Sequence, residues 1–224
     1  MFLLNGDLVK LIPIAIAATL SLSAAQASVI DFNSFGDGGL VETIFSTDGL
    51  VSASVSAVGG ANEARAFDTT NQNSHDNDLE APFRNDLDRS IIANPGNVLI
   101  VQEAAFQASG TPDDNRSGGL ITFFFDQRID FSGFTIYDDA RVTVTSDTGS
   151  SAVEEVSADG RFNIFDFDAG LFAGVTSLTF DFNGHSGAID DLRFEVSAVP
   201  VPASLPLLMI GVGGLAALRR RNRG

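Results

Sequence analysis

Leu120-Ile121-Thr122-Phe123-Phe124-Phe125, followed after a polar break by Phe131-Ser132-Gly133-Phe134-Thr135-Ile136-Tyr137, decides the fold class. Neither run has the 3.6-residue period of an amphipathic helix, and both are flanked by Gly, Asp and Ser. The first run is apolar on both faces, which predicts a central strand. Working outward, residues 50–58 alternate, with Val51, Ala53, Val55 and Ala57 on one face. Asn97 to Ala105 reads as a strand centred on Val98 to Val101. Phe131 to Tyr137 and Arg141 to Ser146 read as a pair around an Asp138-Asp139 turn. Phe162 to Phe167, Val175 to Phe182 and Ala188 to Val196 follow the same pattern. Val29 to Phe32, Thr43 to Phe45 and Ala64 to Phe67 bring the expectation to about ten short strands with no intervening helix. That composition predicts an all-β, jelly-roll-like β-sandwich with its 19 Phe between two sheets. Residues 71–89 form a long polar stretch, either a functional loop or a merely mobile one.

The two ends read as addressing segments. Lys10 precedes an apolar run from Leu11 to Leu22, which softens into Ala25-Gln26-Ala27 before Ser28. This order of charge, apolar core and small-residue cleavage site predicts a signal peptide over 1–27, cut by signal peptidase before Ser28. At the other end, Val199 to Leu218 carries no charge and is followed by Arg219, Arg220, Arg221 and Arg223. Pro200, Pro202 and Pro206 confine any helix to about 204–218, short for a bilayer span. Gly211, Gly213 and Gly214 weaken it further. The arginines favour the cytoplasmic side. The expectation is an exported domain over 28–198 with a membrane-inserted tail over 199–224.

Charge and composition exclude several classes. The formal net charge is -16, and most of the terminal charges are basic, so the middle domain is more acidic still. Such a domain does not bind nucleic acid by neutralising phosphates. The absence of cysteine excludes disulfides, zinc–thiolate sites and a thiol nucleophile. There is no Trp, a residue favoured by sugar-binding surfaces, although Tyr137 and the phenylalanines remain.

The tail Val199-Pro200-Val201-Pro202-Ala203, with its short apolar helix and arginine cluster, resembles the PEP-CTERM sorting signal. It is closest to the variant with consensus Val-Pro-Leu-Pro-Ala, and departs from it only at Val201. The resemblance implies recognition by an exosortase, cleavage near the proline motif, and delivery to the surface or extracellular matrix of an exopolysaccharide-producing Gram-negative bacterium. The middle segment resembles jelly-roll domains carried by such proteins at Phe67-Asp68-Thr69, at Gln102-Glu103 to Asp113-Asp114-Asn115, and at residues 187–192. The last of these resembles the final strand of several carbohydrate-binding-type sandwiches, where an Asp often helps to hold a structural calcium.

Calcium is also the strongest chemistry in the residues themselves. It takes six to eight oxygen ligands. Asp68, Asn71, Asn73, Asp76, Asn77 and Asp78 supply such oxygens within a short stretch, without EF-hand spacing. Glu103, Asp113 and Asp114 can join from another loop, and Asp190 follows an apolar strand segment where a carboxylate needs a partner. The metal candidates are thus Asp68, Asp76, Asp78 and Asp190. His75 and His185 sit in polar surroundings and read as turn residues. No catalytic motif stands out: no nucleophile elbow is present, and an acid pair for glycoside hydrolysis carries no specific signal among so many acids. The expected function is a non-enzymatic surface or matrix protein linked to exopolysaccharide. A calcium-dependent carbohydrate-binding module is the alternative, and an exported hydrolase a distant third.

Overall fold

A computed structural model describes residues 27–72, 74–105, 111–197 and Arg219. Of the addressing segments, only Ala27, Ser28 and Arg219 fall within that set; the proline motif, the tail helix and Ala25 lie outside the described residues. Among the described residues no helix is long and apolar enough to cross a membrane.

The described residues are all-β. Among them thirteen strands run in order: β1 (Ala27–Ile30), β2 (Thr43–Phe45), β3 (Ser52–Val58), β4 (Ala64–Asp68), β5 (Phe83–Asn85), β6 (Ile92–Ala93), β7 (Asn97–Val101), β8 (Leu120–Tyr137), β9 (Arg141–Ser146), β10 (Ser151–Glu155), β11 (Arg161–Asp166), β12 (Phe172–Asp181) and β13 (Ala188–Val196). They form one hydrogen-bonded network, antiparallel except where β11 runs parallel to β5. The arrangement is consistent with a β-sandwich.

β8 is the hub. Its first half pairs with β3 and β12, and its second half with β13 and β11. Ile121, Phe123, Phe125, Ile129 and Phe131 point into the main core at period two. Phe134 and Ile136 point there as well, so the phase changes between Phe131 and Phe134. The register against β13 shifts at the same place, the signature of a bulge. Gly133 permits it. A Cβ on Gly133 would collide with the carbonyl oxygen of Phe165 and stand 2.7 Å from the Arg193 guanidinium. Gly133→Ala is therefore expected to destabilise the domain by about 1–3 kcal/mol, read from urea unfolding. A change within experimental error would mean that the bulge is not tightly packed.

β7 explains the uninterrupted apolar run at Val98 to Val101. Leu99 and Val101 join the main core, while Val98 and Ile100 face a second, smaller cluster with Phe67, Leu79, Phe83, Tyr137 and Phe162. The polar stretch 71–89 thus covers the outer side of the network, held there by Leu79, Ala81 and Phe83.

One sequence expectation is corrected. β8 and β9 do not form a hairpin around Asp138-Asp139: β9 pairs with β10 and β12. Asp138 has φ 74° and carries the chain from the second half of β8 across to the part of the network built on its first half. The strand expected over 120–125 and that expected over 131–137 are one strand, and β5, β6 and β10 are additional.

Candidate functional site: an acidic pocket at one end of the strands

Five connections meet at one end of the fold. The β4–β5 segment brings His75, Asp76, Asn77 and Asp78. The β7–β8 segment brings Glu103, Asp113, Asp114 and Arg116, and the β12–β13 turn brings Ser186. These residues line an open cavity of about 490 Å³. The β8–β9 crossing contributes Asp138, and the β10–β11 turn Asp159. One carboxylate oxygen from each of Asp78, Asp138 and Asp159 lies within 4.8 Å of the others. Two oxygens on one calcium, at 2.3–2.6 Å each, stand at most about 5 Å apart, so this trio fits a shared calcium.

The fold builds the pocket with backbone amides as well as acids. Asp76 accepts from the Leu79 N–H (3.4 Å) and, through its other oxygen, from the Asp114 N–H (3.3 Å). The Asp114 carboxylate accepts from the Gly187 N–H. Asp138 accepts from the Gly160 N–H and the Ser186 hydroxyl, both at 3.4 Å. Gly187 is held at φ 125°, and a Cβ there would stand 2.7 Å from Ala140 Cβ. The turn can therefore approach Asp114 only as glycine.

Asp76, Asp113, Asp114 and Asp138 are each more than nine-tenths buried. Burial is the largest cause lifting all four carboxyls. Contact with Asp78 and the charge of Asp114 push Asp76 far up. Glu103 helps to raise Asp113 to about 6. Asp138 helps to raise Asp114 to about 7, against the Gly187 amide. Asp78 and Asp159 help to raise Asp138 to about 6. Such a collection needs protons or a cation. Among the described residues, the basic side chains lining the cavity are the imidazole of His75 and the guanidinium of Arg116. Arg116 reaches Glu103 at 3.9 Å from an exposed position, too weak a pairing to neutralise the buried acids.

The structure brings Asp76, Asp78, Glu103, Asp113 and Asp114 together, with Asn77 on the rim. Asn73 lies outside the described residues. Asp68 stands elsewhere, accepting from the Thr70 N–H (2.9 Å) and hydroxyl (2.7 Å) in a local turn. Asn71 donates to Asp37. His75 lines the pocket, whereas His185 is an exposed turn residue. Asp138, Asp159 and Ser186 are site residues that sequence reasoning missed. In the sequence Asp138 has the composition of a hairpin turn, and a lone acid before Gly160 carries no signal.

Asp190 is separate from the pocket. It is buried opposite Thr135, and its Oδ1 and the Thr135 hydroxyl have no hydrogen-bond partner. Burial, with repulsion from Asp191, holds its carboxyl well above the ordinary value. A raised native pKa means that the folded state keeps a proton which the unfolded chain releases. Stability from this group is full below about pH 4 and is lost as pH rises. Asp190→Asn is expected to raise stability at pH 7.5 and leave it nearly unchanged at pH 4, measured by urea unfolding. A calcium-dependent loss at pH 7.5 would instead make Asp190 a metal ligand.

No protein-family model matches the chain, and no curated protein matches it.

Proposed function

We propose that this chain is an exported, non-enzymatic surface or matrix protein whose jelly-roll-like domain is locked by calcium in the acidic pocket. The convergence of Asp78, Asp138 and Asp159 from three separate connections carries the calcium reading. The ion ties together loops that otherwise repel one another, a structural role. Asp78, Asp138 and Asp159 would hold it, with Asp76 and Asp114 beside them.

The address rests on the terminal sequences. The signal peptide exports the chain, the tail holds it at the inner membrane, and an exosortase processes it at Val199 to Ala203, releasing the domain to the surface or matrix. A cut before Ser28 is compatible with the folded edge. It removes only Ala27 from β1, and the buried Ser28 keeps its hydroxyl bond to Asp48 at 2.6 Å. Replacing Pro200 and Pro202 with alanine is expected to leave the uncleaved form in the membrane fraction. Normal processing of that variant, or a source genome without an exosortase, contradicts the sorting reading.

Terbium luminescence tests the calcium site. The chain has one Tyr and no Trp, and Tyr137 adjoins Asp138. Terbium, a calcium surrogate, is expected to emit on tyrosine excitation and to be displaced by calcium. Emission is expected to vanish in Asp138→Asn. Absence of sensitised emission, or emission unaffected by Asp138→Asn, contradicts the assignment.

A further inference from the structure

The expected export cut, between Ala27 and Ser28, falls inside a built strand. β1 pairs with β13 across the cut itself, Ala27 opposite Glu195 and Ser28 opposite Phe194. From the turn after β2, the Thr47 N–H donates to the Val29 carbonyl at 2.8 Å. Ser28 is 2% exposed, and Ile30 and Phe32 just beyond it are fully buried in the main core. The Ser28 hydroxyl donates to one oxygen of Asp48 and the Ser46 hydroxyl to the other, both at 2.6 Å. The Leu50 N–H joins them at 3.0 Å. These donors, Ser28 first, hold the Asp48 carboxyl below its ordinary value.

We infer that β1 is a latch, with Asp48 as its catch, and that it closes only after the export cut has been made. The inference rests on the signal-peptide reading of residues 1–27. A protease takes its substrate as an extended stretch free of other pairing, and it reaches a folded chain through local opening. Opening here has to strip Ser28 from Asp48 and lift Ile30 and Phe32 out of the core. The cut adds water across the Ala27–Ser28 amide, leaving a carboxylate on Ala27 and an ammonium on Ser28. That ammonium belongs to the residue whose hydroxyl Asp48 already holds, so the cut adds a complementary charge at the catch. The order of synthesis supplies the interval for cutting. β13 is the last strand, so β1 lacks its partner until the whole domain has emerged, and so distant a pairing forms slowly. Among the described residues, β1 contributes none to the acidic pocket, so the latch stands or falls independently of calcium.

The test uses the full chain made by cell-free synthesis in detergent, with signal peptidase either present during synthesis or added once folding is complete. The early cut is expected, with N-terminal sequencing of the product starting at Ser28, and the late cut is expected to be at least tenfold slower. Asp48→Ala and Ser28→Ala are each expected to speed the late cut at least threefold and to leave the early cut unchanged. Ser28→Ala keeps a small residue at the cut and removes only the hydroxyl, so it decides the matter if Asp48→Ala folds poorly. Equal early and late rates in the unaltered chain, or a late rate unmoved by Ser28→Ala, overturn the latch while leaving the signal peptide in place. No cut in either sample overturns the signal-peptide reading, and the latch with it.

Discussion

Phe134→Ala is expected to lower stability by about 3–5 kcal/mol. Phe134 is fully buried at the phase change of β8. Its ring lies 5.1 Å from Phe180, 5.9 Å from Phe165, 6.0 Å from Phe167 and 6.3 Å from Phe131, centroid to centroid. Those partners come from β11, the segment after it, β12 and β8 itself. Removing the ring opens a cavity where both halves of the network converge, and close packing prevents full collapse into it. For a domain of this size the loss corresponds to a fall in unfolding midpoint of roughly 10 °C. A loss below about 1 kcal/mol would mean that the phenylalanine cluster does not organise the core.

Withdrawing calcium is expected to lower the midpoint by about 5–10 °C at pH 7.5. Ligand present at a hundred times its dissociation constant adds about 2.7 kcal/mol, and each kcal/mol moves the midpoint by about 2–4 °C. The effect depends on pH. Asp113 and Asp138 are raised to about 6 and Asp114 to about 7. In chelator, the stability linked to these protons is full below about pH 4 and falls as pH rises through 6 and 7. The calcium-free domain is therefore expected to be more stable at pH 5 than at pH 7.5. Calcium is expected to restore stability mainly at pH 7.5, because at pH 5 protons already occupy the site. Scanning calorimetry at the two pH values, with calcium and with chelator, measures both.

What the sequence showed of the fold followed burial. Ser52–Val58 is legible because its buried face imposes alternation on the residues, and Leu120–Phe125 because its run is apolar throughout, although Phe124 on its outer face is exposed. β10 was not, since Ser151 to Glu155 has no fully buried residue and so carries no apolar period. β5 and β6 are too short to show one. Asp126, Gln127 and Arg128 looked like a break between strands, yet the ladder continues through Ile129. The Asp138-Asp139 pair has the composition of a tight turn, and only the tertiary path shows that it is a crossing.

The site divides the same way. Asp76 and Asp78 were visible because oxygen donors are dense in their segment. Glu103, Asp113 and Asp114 were visible as a second acidic group. Asp138 and Asp159 were not, because each is one acid among 29 and only folding brings them to Asp78. Asp68 drew attention by its neighbours, but its oxygen satisfies the turn at Thr70.

Calorimetric titration of calcium into the chelator-treated exported chain at pH 7.5, beside Asp138→Asn, tests the central claim most directly. Asp138→Asn keeps the size of the side chain, and Asn tolerates the positive φ of that position. The account predicts saturable calcium uptake by the unaltered chain and its loss in Asp138→Asn. No saturable uptake, or equal uptake by the variant, would contradict it.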